Sequence, residues 1–320
     1  MSHLLNMNKN TKVLITGGAG YLGSVLTPHL LEKNFKVTVV DTFQFSETSL
    51  NSFYKYKNLE IIKGDVRDER VINKLINKND IIIPLAAIVG APACDFDTSS
   101  AESINKKSIL NLLKTKSKDQ IIIMPTTNSA YGSGDQNNYC DENTKLNPIS
   151  KYAIDKVEIE KELMSKSNVI SLRLATVFGM SPRMRMDLLV NDFVYRAIKD
   201  KFIMLYESHF KRNYIHLSDV SKAFLHSINN FDNMKNNIFN VGLSNANLSK
   251  KELCEKIKAF IPELEIIEKE FIKDPDQRNY LVSNKKIEAT GFKPDMNIED
   301  GIRELIQGYK SLKKYFYGNI

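Results

Sequence analysis

Tyr152 and Lys156 stand four residues apart in Lys151-Tyr-Ala-Ile-Asp-Lys-Val-Glu-Ile-Glu-Lys-Glu-Leu163, a run of strong helix formers. On a helix both side chains share one face. A phenol with a pKa near 10 is a poor base at neutral pH, and lowering it by about 3 units takes roughly 4 kcal/mol of differential stabilisation of the phenolate. A neighbouring ammonium and a cationic redox ring supply stabilisation of that kind, so the pair reads as a proton acceptor for hydride-transfer chemistry. Thr127 lies 25 residues before Tyr152, in Pro125-Thr126-Thr127-Asn128-Ser129-Ala130-Tyr131-Gly132 after the apolar run Gln120 to Met124, where its hydroxyl can hold a substrate hydroxyl losing its proton.

A second signature lies about 130 residues upstream. Lys12 to Thr16 is a β-branched apolar run, Gly17-Gly18-Ala19-Gly20-Tyr21-Leu22-Gly23 follows it, and a helical pattern runs from Tyr21 to about Lys33. Gly17 permits the sharp turn, Gly20 lets backbone N–H groups of the Tyr21-Leu22 region approach a pyrophosphate, and Gly23 lets the helix pack close to the sheet. The phosphates then meet the positive helix N-terminus. A strand at Lys36 to Val40 ends at Asp41, whose carboxylate suits both ribose hydroxyls and repels a 2′-phosphate; no Arg follows it in Thr42-Phe43-Gln44-Phe45, so NAD is expected over NADP. Leu59 to Lys63 is a third strand, with Asp65 and Val66 placed for the adenine; Asp65 is alternatively the N-cap of the next helix. Ile81 to Leu85 is a fourth, and the small Ala86 and Ala87 after Leu85 let a cofactor pass over the sheet edge.

With these residues the chain resembles the extended short-chain dehydrogenase/reductases, the NAD-dependent epimerase/dehydratase group acting on nucleotide-sugars, over about residues 12 to 309. The likeness is carried by the glycine turn, Gly64-Asp65-Val66, Leu85-Ala86-Ala87, the Thr127/Tyr152/Lys156 spacing and Arg212-Asn-Tyr-Ile-His-Leu-Ser-Asp219-Val220. It implies that Arg212 meets the substrate pyrophosphate, a task for which a guanidinium fork is suited. It also makes Arg278 a second nucleotide contact, Asn191 a phosphate contact, and Asn128 and Ser129 neighbours of the sugar. The family's 4,6-dehydratases carry an acidic pair after the catalytic Thr. Here Asn128-Ser129 stand there, and neither is an acid at neutral pH. Thr176, in Arg173-Leu-Ala-Thr-Val-Phe-Gly179, occupies a position where the family usually has Asn. The segment Ala87-Ile-Val-Gly-Ala-Pro-Ala-Cys-Asp95 is similar to a branch that oxidises carbon 4 of GDP-manno-heptose. The expected activity is therefore oxidation of a sugar hydroxyl by an epimerase or dehydrogenase. The alternatives are an NAD(P)H-dependent 4-keto-sugar reductase and a non-enzymatic NAD sensor, the latter disfavoured by the intact proton-transfer set.

The elements that must position these residues follow from their order. Strand and helix alternate to about Leu174, which predicts a doubly wound parallel α/β sheet of Rossmann type with ligands at the carboxyl ends of its strands. Residues 11–179 form the expected NAD domain, with 213–243 returning to it, and 180–212 and 244–320 form an interleaved, smaller substrate lobe. A helix is expected over 181–200, carrying Arg183, Arg185 and Asn191, with a strand at 202–206. Helices near 97–116 and 149–165 carry apolar residues on more than one side, including Ile109, Leu110, Leu112 and Leu113. The family pairs these helices in a dimer.

A chain of 320 residues with 42% hydrophobic content can bury one large core and part of a second. Residues 1–10 are expected to be a disordered tail without a signal-peptide core, and no apolar run spans a bilayer, so no membrane partner and a cytoplasmic location are expected. Cys94, Cys140 and Cys254 show no paired spacing, so neither disulfides nor a metal site is expected. His216 is expected to be a satisfied structural side chain. The net charge of +7 raises nucleic-acid binding, but the lysines mingle with acids and form no basic tract. The expected partners are a nucleotide-sugar, with a GDP-sugar weakly favoured, and a second copy of the chain.

Overall fold

The computed structural model describes residues 10–133, 139–269 and 278–311; all but the last residue of the expected N-terminal tail lies outside them. The first half alternates as β1 (Lys12–Thr16), α1 (Gly23–Glu32), β2 (Lys36–Asp41), β3 (Leu59–Lys63), α2 (Glu69–Ile76) and β4 (Ile81–Pro84). Next come α3 (Ala91–Phe96) and α4 (Thr98–Ala101), then a π-helical turn at Glu102–Lys107 and α5 (Ser108–Thr115). The chain continues through β5 (Ile121–Thr127), β6 (Tyr139–Cys140), α6 (Lys151–Met164), β7 (Val169–Leu174), β8 (Thr176–Phe178), α7 (Leu189–Lys199), β9 (Phe202–Tyr206) and β10 (Lys211–His216). After these lie α8 (Leu217–Asn229), α9 (Phe231–Met234), β11 (Asn237–Val241), β12 (Asn247–Ser249), α10 (Lys250–Lys258), β13 (Glu265–Lys269), β14 (Leu281–Val282), α11 (Lys285–Glu288) and α12 (Ile298–Ser311).

Seven strands form one sheet in the order β11-β7-β5-β4-β1-β2-β3, and all their pairings are parallel. The order reverses between β1 and β4, the switch point at which such sheets bind ligands. The strands are near-continuous apolar runs because both faces are covered by helices. Alternate residues feed two cores: Val13 and Ile15 pack with Leu26, Leu30, Val220 and Phe224, while Leu14 packs with Ile72, Leu112, Ile159 and Leu163. A third core holds the smaller lobe, joining Phe178, Val190, Val194, Leu253, Ile257 and Leu305.

Two expectations change. The helix predicted over 181–200 begins only at Leu189, and residues 180–188 run as an irregular segment. Pro182 disfavours a helical conformation in the residue before it, and the Ser181 hydroxyl is engaged by the Tyr21 carbonyl at 2.8 Å. β10 does not return to the large sheet; it pairs with β8 and β12 in a small one, leaving α8 and β11 to make the return. Of the apolar residues on α5, Ile109, Leu112 and Leu113 are core, whereas Leu110 is 38% exposed, near the equally exposed Ile154 of α6.

A buried ion pair joins the sheet to α6. Glu160 accepts from Arg173 at 2.5 Å, from the Thr126 hydroxyl at 2.9 Å and from the Ser171 hydroxyl at 2.7 Å. Arg173 also donates to the Tyr131 hydroxyl at 3.0 Å, and that hydroxyl donates to Asn240 at 2.8 Å. The hydrogen bonds to Glu160 hold the Arg173 guanidinium charged against the cost of its burial. Removing one partner strands the other charge, which costs about 3–5 kcal/mol. Glu160→Ala is therefore expected to lose stability of that order in denaturant unfolding, and the double variant Glu160→Ala/Arg173→Met to recover part of it; additive losses would contradict the coupling.

Candidate active site

The carboxyl ends of β1, β2, β4 and β5 bring the glycine turn, Asp41, Leu85 to Ala87 and Thr127 to one edge of the large sheet. Gly17 sits at φ +73°, and a Cβ there would lie 2.5 Å from the Ala86 nitrogen, so only glycine passes under β4's exit. A Cβ on Gly23 would meet Gly18 at 2.5 Å, while one on Gly20 would meet only the Gly17 carbonyl at 3.1 Å. The close contacts are thus internal to the turn, and Gly20 faces the cleft. No side chain caps the first turn of α1, leaving its N-terminal dipole for an anion. Asp41 holds the turn in place: one carboxylate oxygen accepts from the Ala19 N–H and the other from the Phe43 N–H, both at 2.9 Å. Leu85 and Ala86 donate to the Thr16 carbonyl at 2.9 Å and the Thr16 hydroxyl at 3.4 Å. Ala87 follows them on the same partly buried exit. Such a narrow, small-residue trough beside an acidic strand end fits a dinucleotide.

Asp65 is neither a helix cap nor buried. Asp68 caps α2, and Asp65 takes an ion pair from Arg67 at 2.5 Å, which holds its carboxyl below the usual range. Val66 packs on the core beneath β3.

Thr127 ends β5, 9% exposed, and its hydroxyl accepts from the Ser129 N–H at 3.1 Å. Ser150 caps α6, so Tyr152 and Lys156 lie on its first two turns, and the α6 start packs against the 128–131 turn and α3. The Lys156 ammonium is 6.0 Å from the centre of the Tyr152 ring and donates to the Pro125 carbonyl at 3.4 Å. Tyr152 is partly exposed, but its hydroxyl end is enclosed, and this burial pushes the phenol up to about 12; the Cys94 thiol adds to the rise, while Arg185 and Arg278 oppose it. Burial pulls Lys156 down to about 8. The sequence reading expected a lowered phenol. The desolvation outweighs the fields of the two arginines.

Asn128 is 1% exposed, and neither its amide oxygen nor its amide nitrogen has a partner among the described residues. Leaving both unmade costs several kcal/mol, which a ligand hydroxyl beside Thr127 would relieve. Arg278 donates to the Ser129 hydroxyl, joining two residues that lie 149 apart in sequence. Arg212 is 2% exposed, with its guanidinium carbon 5.7 Å from the centre of the Tyr280 ring, and both arginines lower the neighbouring Tyr214 phenol against its burial.

Asn191 does not face this cleft. It is fully buried, its oxygen accepts from the Gly179 N–H at 3.0 Å, and its nitrogen donates to the Tyr21 hydroxyl at 3.1 Å and the Arg185 carbonyl at 2.8 Å. Its amide is spent on the framework. The Tyr21 hydroxyl in turn donates to the Gly179 carbonyl at 2.8 Å, so Tyr21 ties the glycine turn to the small lobe while Leu22 packs on the core. His216 is satisfied by Ser218 and Glu304, each at 2.7 Å. Cys94 is 1% exposed and donates to the Ile88 carbonyl at 3.3 Å; all three cysteines are buried. Among the described residues no group of His, Cys, Asp and Glu is placed to hold a metal, and no helix is long and apolar enough to cross a membrane. A cavity of about 320 Å³ lined by Thr11, Asn79, Asp80 and Gln120 lies at the opposite, amino edge of the strands and carries none of the site residues.

Sequence reasoning gave no role to Arg185. Its buried guanidinium is paired with Asp187, lies close to Gly90 and acts on the Tyr152 phenol. The alternation Arg183-Met-Arg185-Met was the available signal, but periodicity cannot show which way a charge points.

The seven-stranded parallel sheet with its glycine turn and Thr/Tyr/Lys set defines a nucleotide-dependent oxidoreductase class. Residues 13–242 match the model of the NAD dependent epimerase/dehydratase family, and the chain belongs to that family of enzymes. It is 25% identical to the dTDP-D-glucose 4,6-dehydratase of Dictyostelium discoideum, over 95% of this chain and 83% of that one. It is 24% identical to the CDP-paratose 2-epimerase of Salmonella typhi, over 94% and 100%. Its fold is also that of the Thermus thermophilus UDP-glucose 4-epimerase solved with NAD, at a TM-score of 0.81 and 21% identity, covering 94% and 99%.

The Lys156 shift has a thermodynamic consequence. Its folded pKa, about 8, lies below its ordinary 10.5, so the charged side chain opposes folding by about 3 kcal/mol below pH 8. That penalty fades as pH rises from about 8 to 10.5. Lys156→Met should therefore raise Tm at pH 7 while abolishing turnover, with the gain shrinking toward pH 10; differential scanning calorimetry across that range reads it, and a lower Tm at pH 7 would refute it.

Proposed function

We propose that the protein oxidises a hydroxyl of a nucleotide-sugar, at carbon 4, with Tyr152 as the base. The reading is carried by Asn128, a buried amide with no partner among the described residues, directly after Thr127 and on the turn against which α6 packs. Gly17, Gly20, Tyr21, Leu22, Asp41, Val66 and Leu85 to Ala87 would hold NAD along the trough, with Asp65 near the adenine end. When bound, the nicotinamide supplies the hydride acceptor. Thr127 orients the sugar hydroxyl, Tyr152 takes its proton, and Lys156 with Arg185 and Arg278 stabilises the resulting phenolate. Arg212 and Arg278 suit the substrate's pyrophosphate, and Ser129, held by Arg278, sits at the sugar side. The names of the three proteins given above, which act on dTDP-D-glucose, CDP-paratose and UDP-glucose, support the substrate class, and the Ala87 to Asp95 resemblance supports carbon 4 and a GDP-sugar.

Elimination of a hydroxyl is disfavoured although some relatives are dehydratases, because Asn128 and Ser129 supply no acid at the position that would need one. The outward apolar residues Leu110 and Ile154 on α5 and α6 support a homodimer through those helices. The test is turnover of GDP-, UDP- and dTDP-sugars carrying deuterium at carbon 4. Deuterium kept at carbon 4 with inverted configuration marks an epimerase; a keto-sugar with reduced cofactor marks a dehydrogenase. Tyr152→Phe should lower the rate by about 10²–10⁴ while sparing NAD binding. Equal rates in Tyr152→Phe and the natural protein would overturn the assignment.

A further inference from the structure

The turn that carries Asn128 and Ser129 is fastened on its far side by a short segment of the small lobe, residues 278–282. Arg278 donates to the Ser129 hydroxyl, and the Asn279 N–H donates to the Gly132 carbonyl at 3.2 Å. Gly132 ends the turn at φ +64°, and a Cβ there would lie 1.9 Å from the Asn147 carbonyl oxygen, so the backbone has little room to shift. Asn279 also bridges to Ser133, and β14 runs parallel to β6 with Leu281 opposite Tyr139 and Val282 opposite Cys140. Tyr131, Cys140, Tyr280 and Val282 close a small apolar core of their own, the Tyr280 and Tyr131 rings meeting edge to face at 6.2 Å.

The same segment is bonded on its other side to β10. The Asn279 side-chain oxygen accepts from the Lys211 N–H at 2.9 Å, and the Tyr280 N–H donates to the Lys211 carbonyl at 3.3 Å. Arg212, the next residue of β10, donates to that carbonyl at 3.0 Å and lies over the Tyr280 ring. Asn279 is 7% exposed and holds both sides at once, the turn through its backbone and β10 through its side chain. Hydrogen bonds of fixed direction on both sides make the segment a spacer of set length.

A nucleotide-sugar anchored at its pyrophosphate reacts at a ring carbon, so the distance between the two anchoring points decides which ring hydroxyl lies against the base. A misplacement of about 1 Å can cost about 100-fold in rate. We propose that residues 278–282 fix the span from Arg212 to the reacting turn and thereby select the sugar carbon that meets Tyr152, with Asn279 as the positioning residue. The proposal rests on the proposed function, in which Arg212 takes the pyrophosphate while Thr127 and Tyr152 take the reacting hydroxyl. Local sequence cannot disclose the spacer, because Asn279 stands 68 residues from Lys211 and Arg278 stands 149 from Ser129.

The test uses whichever of the GDP-, UDP- and dTDP-sugars the natural protein turns over, with NMR of the products to locate the altered carbon and with nucleotide affinity and Tm measured on the same samples. Asn279→Ala removes the acceptor for Lys211 and leaves the backbone bond to Gly132. It should lower kcat about tenfold and add product altered at a carbon beside the natural one, with nucleotide affinity unchanged. Asn279→Asp keeps an oxygen acceptor and should restore the rate and the single product; if it matches Asn279→Ala instead, the acceptor bond does not set the span and the proposal falls. Asn279→Ala that alters only the natural carbon, at whatever rate, would also overturn the proposal, and a lower Tm with no new product marks the bond as structural alone. A natural protein that reacts at a carbon other than 4 sinks the carbon-4 reading by itself, because the proposal is read from the change between variant and natural protein. No turnover of any of the three sugars by the natural protein sinks both.

Discussion

The site depends on one buried charge pair. Glu160 and Arg173 are each about 4% exposed, and between them they bind Thr126, Ser171 and Tyr131, residues of β5, β7 and the turn after β5. Thr126 directly precedes Thr127, Tyr131 closes the turn that carries Asn128 and Ser129, and Glu160 lies one helical turn beyond Lys156 on α6. One ion pair therefore sets the position of the helix bearing Tyr152 relative to the strand end bearing Thr127. An apolar cluster could hold the same elements together but would tolerate small slides between them, whereas hydrogen bonds of fixed direction do not.

The electrostatics of the cleft follow from enclosure. Burial raises the Tyr152 phenol and lowers the Lys156 ammonium, so each is driven toward its neutral form. Arg185 and Arg278 come from segments far apart in the chain and oppose the rise of the phenol. Asn128 adds a second mismatch, an amide with four hydrogen-bonding opportunities and no partner among the described residues. Both mismatches lie within the same short stretch of the sheet's carboxyl edge. Asn191, His216 and Gln120 are satisfied by the protein itself, whereas the buried hydroxyls of Thr27 and Tyr214 and the Asn284 amide oxygen, like Asn128, have no partner among the described residues.

The two lobes meet across the cofactor trough rather than beside it. Tyr21 is chemically part of the glycine turn, yet its hydroxyl is bonded to Gly179 and Asn191 of the other half. The single core of the small lobe, built from α7, α10 and α12, keeps the 179–191 segment in register with that turn. The glycine turn and the 179–191 segment are consequently bonded into one surface.

Much of this was legible in the chain itself. Strand bounds at Lys12–Thr16, Leu59–Lys63 and Phe202–Tyr206 matched expectation, because each is a short apolar or β-branched run bounded by turn residues. The glycine turn, Asp41 and the Tyr152/Lys156 pair were readable because their chemistry depends on local spacing along one element. What sequence could not supply were relations between elements: that Asn191 is spent on Tyr21, that Asp65 is taken by Arg67, that β10 joins β8, that Arg183 lies over Phe45 and that Arg185 acts on Tyr152. Periodicity reports which side of a helix or strand is apolar, and it holds no information about which distant group will satisfy a polar one. Local residue order alone determined the fold class and brought forward Thr127, Tyr152 and Lys156 as the candidate set; the tertiary structure decided which charges surround them, because long-range pairing is chosen by packing and desolvation only after the elements have met.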